Sequence, residues 1–337
     1  MGDPLNKFAR AVKPLAWPLA ALGLLLAFNA VFTPGFFTLG VREGRVYGVL
    51  VDILNHGSRV GIVALGMTLV IATGGVDLSV GAVSAIAGAV TATLIARAGV
   101  PWPLAIGAAL GAGLVCGLWN GVLVGVLRLQ PIVATLILMV AGRGIAQLIT
   151  DGLIITFASA PVSAMANGAF LGLPVPVSLL ALATLIVALA TRRTALGLFI
   201  EAVGDNQTAS RLAGVPDRAV KFVVYAVCGV LAGLAGVVEC SYINAADANN
   251  AGNLLELDAI LAVVIGGTAL SGGRFSLAGT LLGAVLMQTL TKTLYMQDVS
   301  ADIAPAPKAA AVIVVCVLQS PVLRRRLARL RGAGGVS

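Results

Sequence analysis

Charged side chains are scarce in this sequence. Asp, Glu, Lys and Arg make up 11% of its 337 residues, whereas hydrophobic residues make up 59%. A soluble domain carries roughly a quarter charged residues, because water must solvate its surface. The composition therefore excludes a soluble globular protein and indicates an integral membrane protein. The net charge of +8 is then expected to face lipid headgroups and the cell interior, and no nucleic-acid partner is predicted.

The sequence also lacks the motifs of several enzyme classes. It has no G-x-x-x-x-G-K-[ST], so we expect no ATPase site in this chain, and neither H-E-x-x-H nor G-x-S-x-G occurs. The one histidine, His56, has no partner pattern around it and is expected to be structural or interfacial. Without a C-x-x-C pair, the cysteines are expected to be packing residues; they are Cys116, Cys228, Cys240 and Cys316. We predict no catalytic residue, no metal site and no cofactor bound by this chain.

Long apolar runs are abundant. A membrane-spanning helix needs about 20 mostly apolar residues, and the hydrophobic fraction suffices for about ten such helices. The first two runs cover residues 15–32 and 60–73, and the next three end near residues 96, 126 and 149. The last five cover residues 177–190, 222–240, 259–270, 277–290 and 303–318. The 41 glycines favour close helix packing through small side chains. We therefore predict an all-α integral membrane protein with about ten transmembrane helices, some of them interrupted by glycine-rich segments.

Basic residues concentrate at residues 1–14, 191–221 and 320–337. By the positive-inside rule all three segments are predicted to be cytoplasmic, and an even number of spans puts both termini on that side. The exceptions to this charge pattern are Arg42, Arg45 and Arg97. We predict a single transmembrane domain over residues 1–337, with residues 191–221 forming a cytoplasmic loop that is called the central loop below.

The central loop is predicted to contain a short capped helix. Asp205 or Asn206 can accept a hydrogen bond from the first free backbone N–H groups, Gly214 can adopt the left-handed turn that closes a helix, and Pro216 prevents continuation. The residues predicted to share one face of small or apolar side chains are Ala209, Leu212 and Ala213. Such a helix at the membrane surface suits docking into a groove of another protein. The alternative is a solvated connection between two membrane helices.

A glycine pair interrupts the second apolar run, in the stretch GGVDLSVG. Asp77 and Ser79 follow this break and supply side-chain oxygens where backbone groups are left unpaired. Because an ionisable residue near lipid depth usually faces the bundle interior or water, both are candidates for the lining of a translocation path or for a gate hinge. The alternative is that one of them caps the third helix at the membrane interface.

Arg143 lies inside the fifth apolar run, about 18 Å along a helix that starts near Pro131. Its long side chain can either extend to the outer headgroups or face the interior. Gln147 follows one turn later on the same helix face. We predict both as candidate residues of the translocation path, alongside the two after the glycine pair.

A polar cluster between the seventh and eighth runs has no positive charge and is predicted to be external. It is a candidate contact for a delivery protein or a sugar, with a solvated loop as the alternative. Its members are Glu239, Asn244, Asp247, Asn249 and Asn250.

Two stretches are weakly similar to each other. VALGMTLVIATGGVDLSVGAVSAIAGA and AILAVVIGGTALSGGRFSLAGTLLGA share an apolar run, a Gly-Gly break and a helix of small residues. Transporters often contain duplicated halves whose broken helices meet at the substrate path. Chance similarity between glycine-rich membrane segments is the alternative.

Several stretches resemble the permease subunits of bacterial ABC sugar importers, in the branch that carries ribose, xylose and galactose. They are GMTLVIATGGVDLSVGAVSAIAGA, LQPIVATLILMVAGRGIAQLIT, EAVGDNQTASRLAGV and DAILAVVIGGTALSGGRF, in the order of the family and within residues 48–318. GRVYGVLVDILN and ADANNAGNLLELDAILAVVIGG are most similar to the permeases of galactofuranose importers. The resemblance therefore implies a bacterial inner-membrane permease that moves a monosaccharide, with galactofuranose expected, by alternating access.

The resemblance also implies partners. These are ATP-binding subunits that carry ATP and Mg²⁺, a second permease that is identical or paralogous, and a periplasmic sugar-binding protein. It identifies the central loop as the coupling segment that contacts the ATPase, and the residues that match the family pattern are Gly204, Asn206, Ala209, Ala213 and Gly214. Asp205 departs from that pattern, because an apolar or small residue is expected there.

Other classes of protein remain as alternatives. A secondary carrier driven by an ion gradient would often show paired acidic residues within its spans, and this sequence has no such pair. An ABC exporter permease would often be fused to its ATPase. A membrane-embedded enzyme is the third alternative.

Overall fold

The computed structural model describes residues 15–42, 45–170, 172–300, 303–310 and 313. The predicted tails at residues 1–14 and 320–337, and most of the tenth apolar run, lie outside these residues. The α-helices are α1 Ala16–Phe32, α2 Val49–Ala72, α3 Val80–Ala96, α4 Trp102–Gly121, α5 Pro131–Thr150, α6 Ala160–Asn167, α7 Val175–Arg193, α8 Leu196–Asp205, α9 Gln207–Leu212, α10 Asp217–Ile243, α11 Leu255–Ile265 and α12 Leu277–Met296. A π-helical segment, Val122–Val126, continues α4, and residues 305–310 are helical.

Three short antiparallel strand pairs connect the helices. The hairpin β1 Leu39–Arg42 and β2 Arg45–Gly48 precedes α2. The second pair joins β3 Ile155–Thr156 to β6 Ala245–Ala246, and the third joins β4 Ala169–Phe170 to β5 Leu173–Pro174. These pairs close connections between helices and add no sheet layer to the fold.

The predicted helical membrane architecture is confirmed. Each of the first nine apolar runs corresponds to a helix. In the described part of the chain, five helices are long and apolar enough to cross a membrane alone: α2, α4 with its π segment, α5, α7 and α10. The apolar helices α1 and α3 are shorter, with 17 residues each.

Small residues bring the helices of the core into backbone contact. On α10, a methyl group at Gly229 would overlap the carbonyl of Gly113 on α4, and one at Gly236 would overlap the carbonyl of Ser84 on α3. Residues 60–72 of α2 are all buried beside them. Without a hydrophobic driving force between helices in lipid, close van der Waals packing through small residues holds such helices together.

The helix α2 begins earlier than predicted. The second apolar run covers only residues 60–73, but α2 already starts at Val49. The apolar-run criterion missed the first half of α2 because that half carries polar side chains, and the fold gives each of them a partner. These partners are Lys292 for Asp52 at 2.8 Å, Tyr242 for the His56 ring at 4.7 Å, and Glu239 for Arg59.

The eighth run was predicted to continue through residues 259–270, but α11 ends at Ile265. The chain then turns at Gly267, whose φ of +93° favours glycine. The other glycine break, after α2, turns at Gly74 with a φ of +76°. The two similar stretches therefore both form a helix, a glycine break and a second helix, and the breaks meet: the Gly273 N–H donates to the Ala72 carbonyl at 2.9 Å. Their origin by duplication stays a prediction.

Arg97, one exception to the predicted charge pattern, lies in an ion pair. Its Nη1 is 2.6 Å from Oδ2 of Asp151, and its Nη2 donates to the carbonyl of Thr150 at 3.3 Å. The pair joins the end of α3 to the end of α5. Arg97 stays an exception to the predicted charge pattern, because acidic partners contribute little to the positive-inside rule.

The central loop defines one end of the helix bundle, called the basic end below. The last residues of α2 and α7 and the first residues of α3 and α10 lie there, because short connections join them to the loop or to the glycine breaks. The opposite end carries α6, the three strand pairs and residues 244–254.

Candidate functional site

The central loop contains the predicted capped helix, here α9. Oδ1 of Asn206 accepts the N–H of Ala209 at 2.9 Å, so Asn206 is the cap of the two candidates, whereas Asp205 is the last residue of α8. Gly214 closes the helix with a φ of +85°. Both devices depend on local sequence, which is why the pattern predicted them.

The inner side of α9 is held by polar contacts. Arg211 forms an ion pair with Asp217 at 2.7 Å, Gln207 donates to the same carboxylate at 2.8 Å, and Lys221 donates to Gln207 at 3.0 Å. The hydroxyl of Ser210 donates to the carbonyl of Ala202 at 2.6 Å. The hydrogen bond with Asp217 also raises the pKa of Arg211. These contacts tie α9 to α8 and α10 as one unit.

The outer side of α9 is exposed, as the pattern predicted. Its exposed residues with small or apolar side chains are Ala209, Leu212, Ala213 and Gly214. Leu212 is 85% exposed, although a leucine on a rigid helix would gain free energy from burial. We call these four residues the α9 surface. An exposed apolar anchor on a rigid helix is what a partner groove requires.

Gly204 does not belong to the α9 surface. A methyl group at Gly204 would overlap the carbonyl oxygen of Ala72 and the backbone nitrogen of Gly273, and one at Gly272 would lie 2.9 Å from the Gly204 carbonyl. Gly204 therefore occupies the junction where α8 meets both glycine breaks. We call this contact the glycine junction. It connects the central loop mechanically to the two pairs of broken helices.

Asp77 and Ser79 lie in an enclosed cluster. Oδ1 of Asp77 accepts the N–H of Ser79 at 2.9 Å and its hydroxyl at 2.6 Å, and Asn120 of α4 donates to Ser79 Oγ at 2.9 Å and to Asp77 at 3.3 Å. Asp77 is 1% exposed. Ser79 does not cap the third helix, because its side chain accepts none of the helix N–H groups, whereas Asp77 accepts the Ser79 N–H just before that helix, so Asp77 as a cap stays an alternative to a path residue. The sequence analysis did not identify Asn120 as part of this cluster, because in the sequence Asn120 is only a single amide side chain within an apolar run.

The other two candidates for the path reach the loop at the opposite end. Arg143 donates to the carbonyl of Ala251, and Gln147 donates to Oδ1 of Asn249 at 2.8 Å. Of the two alternatives for Arg143, the guanidinium thus binds protein backbone rather than extending to headgroups. Asp247 orders the same loop by accepting the N–H groups of Asn249 at 3.0 Å and Asn250 at 3.3 Å. α5 therefore anchors this loop.

Glu239 was predicted in the external cluster, but it lies on α10 and faces the bundle. It forms an ion pair with Arg59 of α2 and accepts the N–H of Gly252 at 3.1 Å. The sequence alone could not reveal the ion pair of Glu239, because its partner Arg59 lies 180 residues away. Asn244 ends α10 in a left-handed conformation, and its carbonyl accepts the N–H of Phe157 at 3.0 Å.

Comparison with known proteins decides the family. Residues 49–318 match the model of the family described as the permease component of the branched-chain amino acid transport system. The chain belongs to this permease family. A permease of this family is a pore-forming subunit and a multi-pass protein of the inner membrane, with ATP hydrolysis in separate subunits. It works with an ATPase and a substrate-binding partner.

Curated relatives align over nearly the whole permease. It is 48% identical to the galactofuranose transporter permease of Escherichia coli over 90% of each chain. It is 42% identical to the fructose import permease of Bifidobacterium longum, over 94% of this chain and 90% of that one. It is 36% identical to the ribose import permease of Escherichia coli, over 90% of this chain and 92% of that one. No solved structure matches the permease.

Glu239→Gln in the permease is expected to lower the free energy of unfolding by about 2 kcal/mol, because it leaves the partly buried Arg59 without its counter-charge. Denaturant unfolding in detergent micelles measures this. The matched control is Asp151→Asn, which breaks an ion pair whose side chains are 39% and 68% exposed and should cost less than about 0.5 kcal/mol. Equal effects of the two substitutions would contradict the assigned role of Glu239.

Proposed function

We propose that the permease moves a monosaccharide, with galactofuranose as the first candidate, through an ATP-driven importer. One observation carries this proposal: the relative named for galactofuranose is 48% identical over 90% of both chains. The relatives named for fructose and ribose, at 42% and 36% identity, support the wider class of monosaccharides.

The proposed assembly places an ATP-binding subunit against the α9 surface. The basic end then faces the cytoplasm, in line with the positive charge of residues 191–221. A periplasmic sugar-binding protein docks at the opposite end, and a second permease, identical or paralogous, completes the pore. The candidate contacts of the sugar-binding protein are Asn244, Asp247, Asn249 and Asn250, which lie at the opposite end.

The proposed mechanism is alternating access. Closure of the ATP-binding subunits moves α9, and α9 moves with α8 because the Ser210 hydroxyl and the Asn206 N–H both donate to the Ala202 carbonyl of α8. The glycine junction passes this movement to the two glycine breaks, where helices can change their relative angle without losing long hydrogen-bonded runs. The permease needs no reactive group, since the work comes from the different affinities of the two states.

The function is tested with the complete assembly in proteoliposomes. Co-purification on tagged permease should recover a P-loop ATPase, a second permease and a sugar-binding protein. ATP-dependent uptake is then measured with labelled galactofuranose, fructose and ribose. We expect uptake of galactofuranose that stops without ATP. Uptake by the permease alone under an ion gradient would instead identify a secondary carrier.

A further inference from the structure

A cavity of about 450 Å³ opens between α2, α11, α12 and residues 303–310. This volume falls within the range of small-molecule sites, about 300–1,000 Å³. It lies in the half of the bundle away from the basic end, because His56 is in the first half of α2 and Thr291 is in the second half of α12. None of the four residues predicted for the path lines it; those residues are Asp77, Ser79, Arg143 and Gln147.

Polar side chains face this cavity at membrane depth. Gln288 lies eleven residues after Leu277, which is about 16 Å along α12 and within a hydrocarbon core of about 30 Å. Within the described part of the chain, the side-chain amide of Gln288 has no hydrogen-bond partner. Because an amide without a partner in lipid costs several kcal/mol, this group indicates a cavity that holds water or a polar solute.

Two residues of α12 present hydrogen-bonding groups from fixed positions. Gly57 of α2 packs against the stem of Gln288, so that a methyl group there would lie 3.3 Å from Gln288 Cβ. Thr291 is 7% exposed and donates its hydroxyl proton to the Met287 carbonyl at 2.9 Å. Its oxygen can still accept a hydrogen bond from a ligand. The cavity wall thus offers the amide of Gln288, which can donate and accept hydrogen bonds, beside the hydroxyl oxygen of Thr291, which can accept one.

The charges at the wall are already paired. Each of the three cations that line the cavity has a carboxylate partner, and the pairs are Lys292 with Asp52 at 2.8 Å, Lys308 with Asp258 at 3.3 Å, and Arg59 with Glu239. No described lining residue therefore offers an uncompensated charge to the carboxylate or ammonium group of an amino acid. The ring of Tyr295 and the side chains of Leu254 and Leu257 supply apolar surface for the C–H faces of a ligand.

We propose that this cavity binds the imported solute during translocation and that it takes a neutral polyhydroxylated sugar, with Gln288 and Thr291 as its polar contacts. The proposal rests on monosaccharide import as the proposed function and adds the site and the charge of the solute. Side chains with both donors and acceptors, beside apolar surface and without free charge, match the chemistry of a sugar.

The test measures ATP-dependent uptake by the complete assembly with whichever of labelled galactofuranose, fructose or ribose the unsubstituted assembly imports. Thr291→Val and Gln288→Leu are expected to lower the import rate about tenfold each, since each removes a hydrogen bond to the solute. ATP hydrolysis stimulated by the sugar-binding protein should stay within about twofold in both variants, because the α9 surface is unchanged.

The matched control is Thr289→Val. Thr289 lies on the same helix, is 1% exposed and donates to the Val285 carbonyl at 2.7 Å, but it does not line the cavity. Its import rate should remain within about twofold of the unsubstituted rate. Equal losses in Thr289→Val and Thr291→Val would show an effect of helix packing and would overturn the assignment.

A second variant blocks the cavity without disturbing the core. Leu257 is 47% exposed and lines the cavity from α11, so Leu257→Trp should fill it and abolish import while the assembly still purifies intact. Unchanged import in all three lining variants would overturn the cavity assignment alone. Failure of the unsubstituted assembly to import any of the three sugars would overturn the proposed function, and this proposal with it.

Discussion

Leu212→Asp is expected to abolish ATP-dependent import while the permease remains folded. Leu212 is 85% exposed on α9 and makes no core contact that its loss would disturb. In the proposed assembly this side chain enters a groove of the ATPase, where a buried leucine contributes about 1.5–3 kcal/mol. A carboxylate there loses that contribution and must also be desolvated, so coupling should weaken by about a hundredfold or more. Uptake and ATPase co-purification measure the effect.

A pair of Leu→Ala variants controls for general effects of losing an exposed leucine. Leu198 lies on the neighbouring helix α8 and is 69% exposed, outside the α9 surface. Leu212→Ala should weaken co-purification of the ATPase, whereas Leu198→Ala should leave it unchanged. Normal import by Leu212→Asp, or equal losses in the two alanine variants, would count against docking on α9.

Gly204→Ala is expected to prevent stable folding. Its methyl group would overlap the Ala72 carbonyl and the Gly273 backbone nitrogen. Both are backbone atoms held by the 2.9 Å hydrogen bond between Gly273 and Ala72, so neither can rotate away. Overpacking against backbone of this kind should cost about 3 kcal/mol or more. The yield of monodisperse permease and its unfolding midpoint in detergent measure the loss.

Gly107→Ala on α4 is the matched control. No heavy atom lies within 4 Å of a methyl group built at Gly107, and alanine in a helix interior is favoured over glycine by up to about 1 kcal/mol. The control should therefore be neutral or stabilising. An unchanged unfolding midpoint for Gly204→Ala would mean that α8 can separate from the glycine breaks, and the proposed transmission through the glycine junction would then be wrong.

Local chemistry explains which features were predictable. The cap at Asn206 and the turn at Gly214 depend on neighbouring backbone groups, so a few residues sufficed to predict α9. The first nine of the ten apolar runs correspond to described helices, because a span in lipid must satisfy its own backbone hydrogen bonds and therefore forms a helix. The start of α2 was missed, since its polar side chains acquire partners only in the folded chain.

The sequence by itself determined the class of protein, the order of the first nine apolar helices, the capped helix in the central loop and the resemblance to sugar-importer permeases. Each of these depends on composition or on residues close together in the chain. Only the tertiary structure decided that Glu239 pairs with Arg59, that Gly204 joins two glycine breaks, and that Gln288 faces a cavity. Those contacts join residues far apart in sequence. They form only when the helices pack against each other, so the order of residues along the chain does not reveal them.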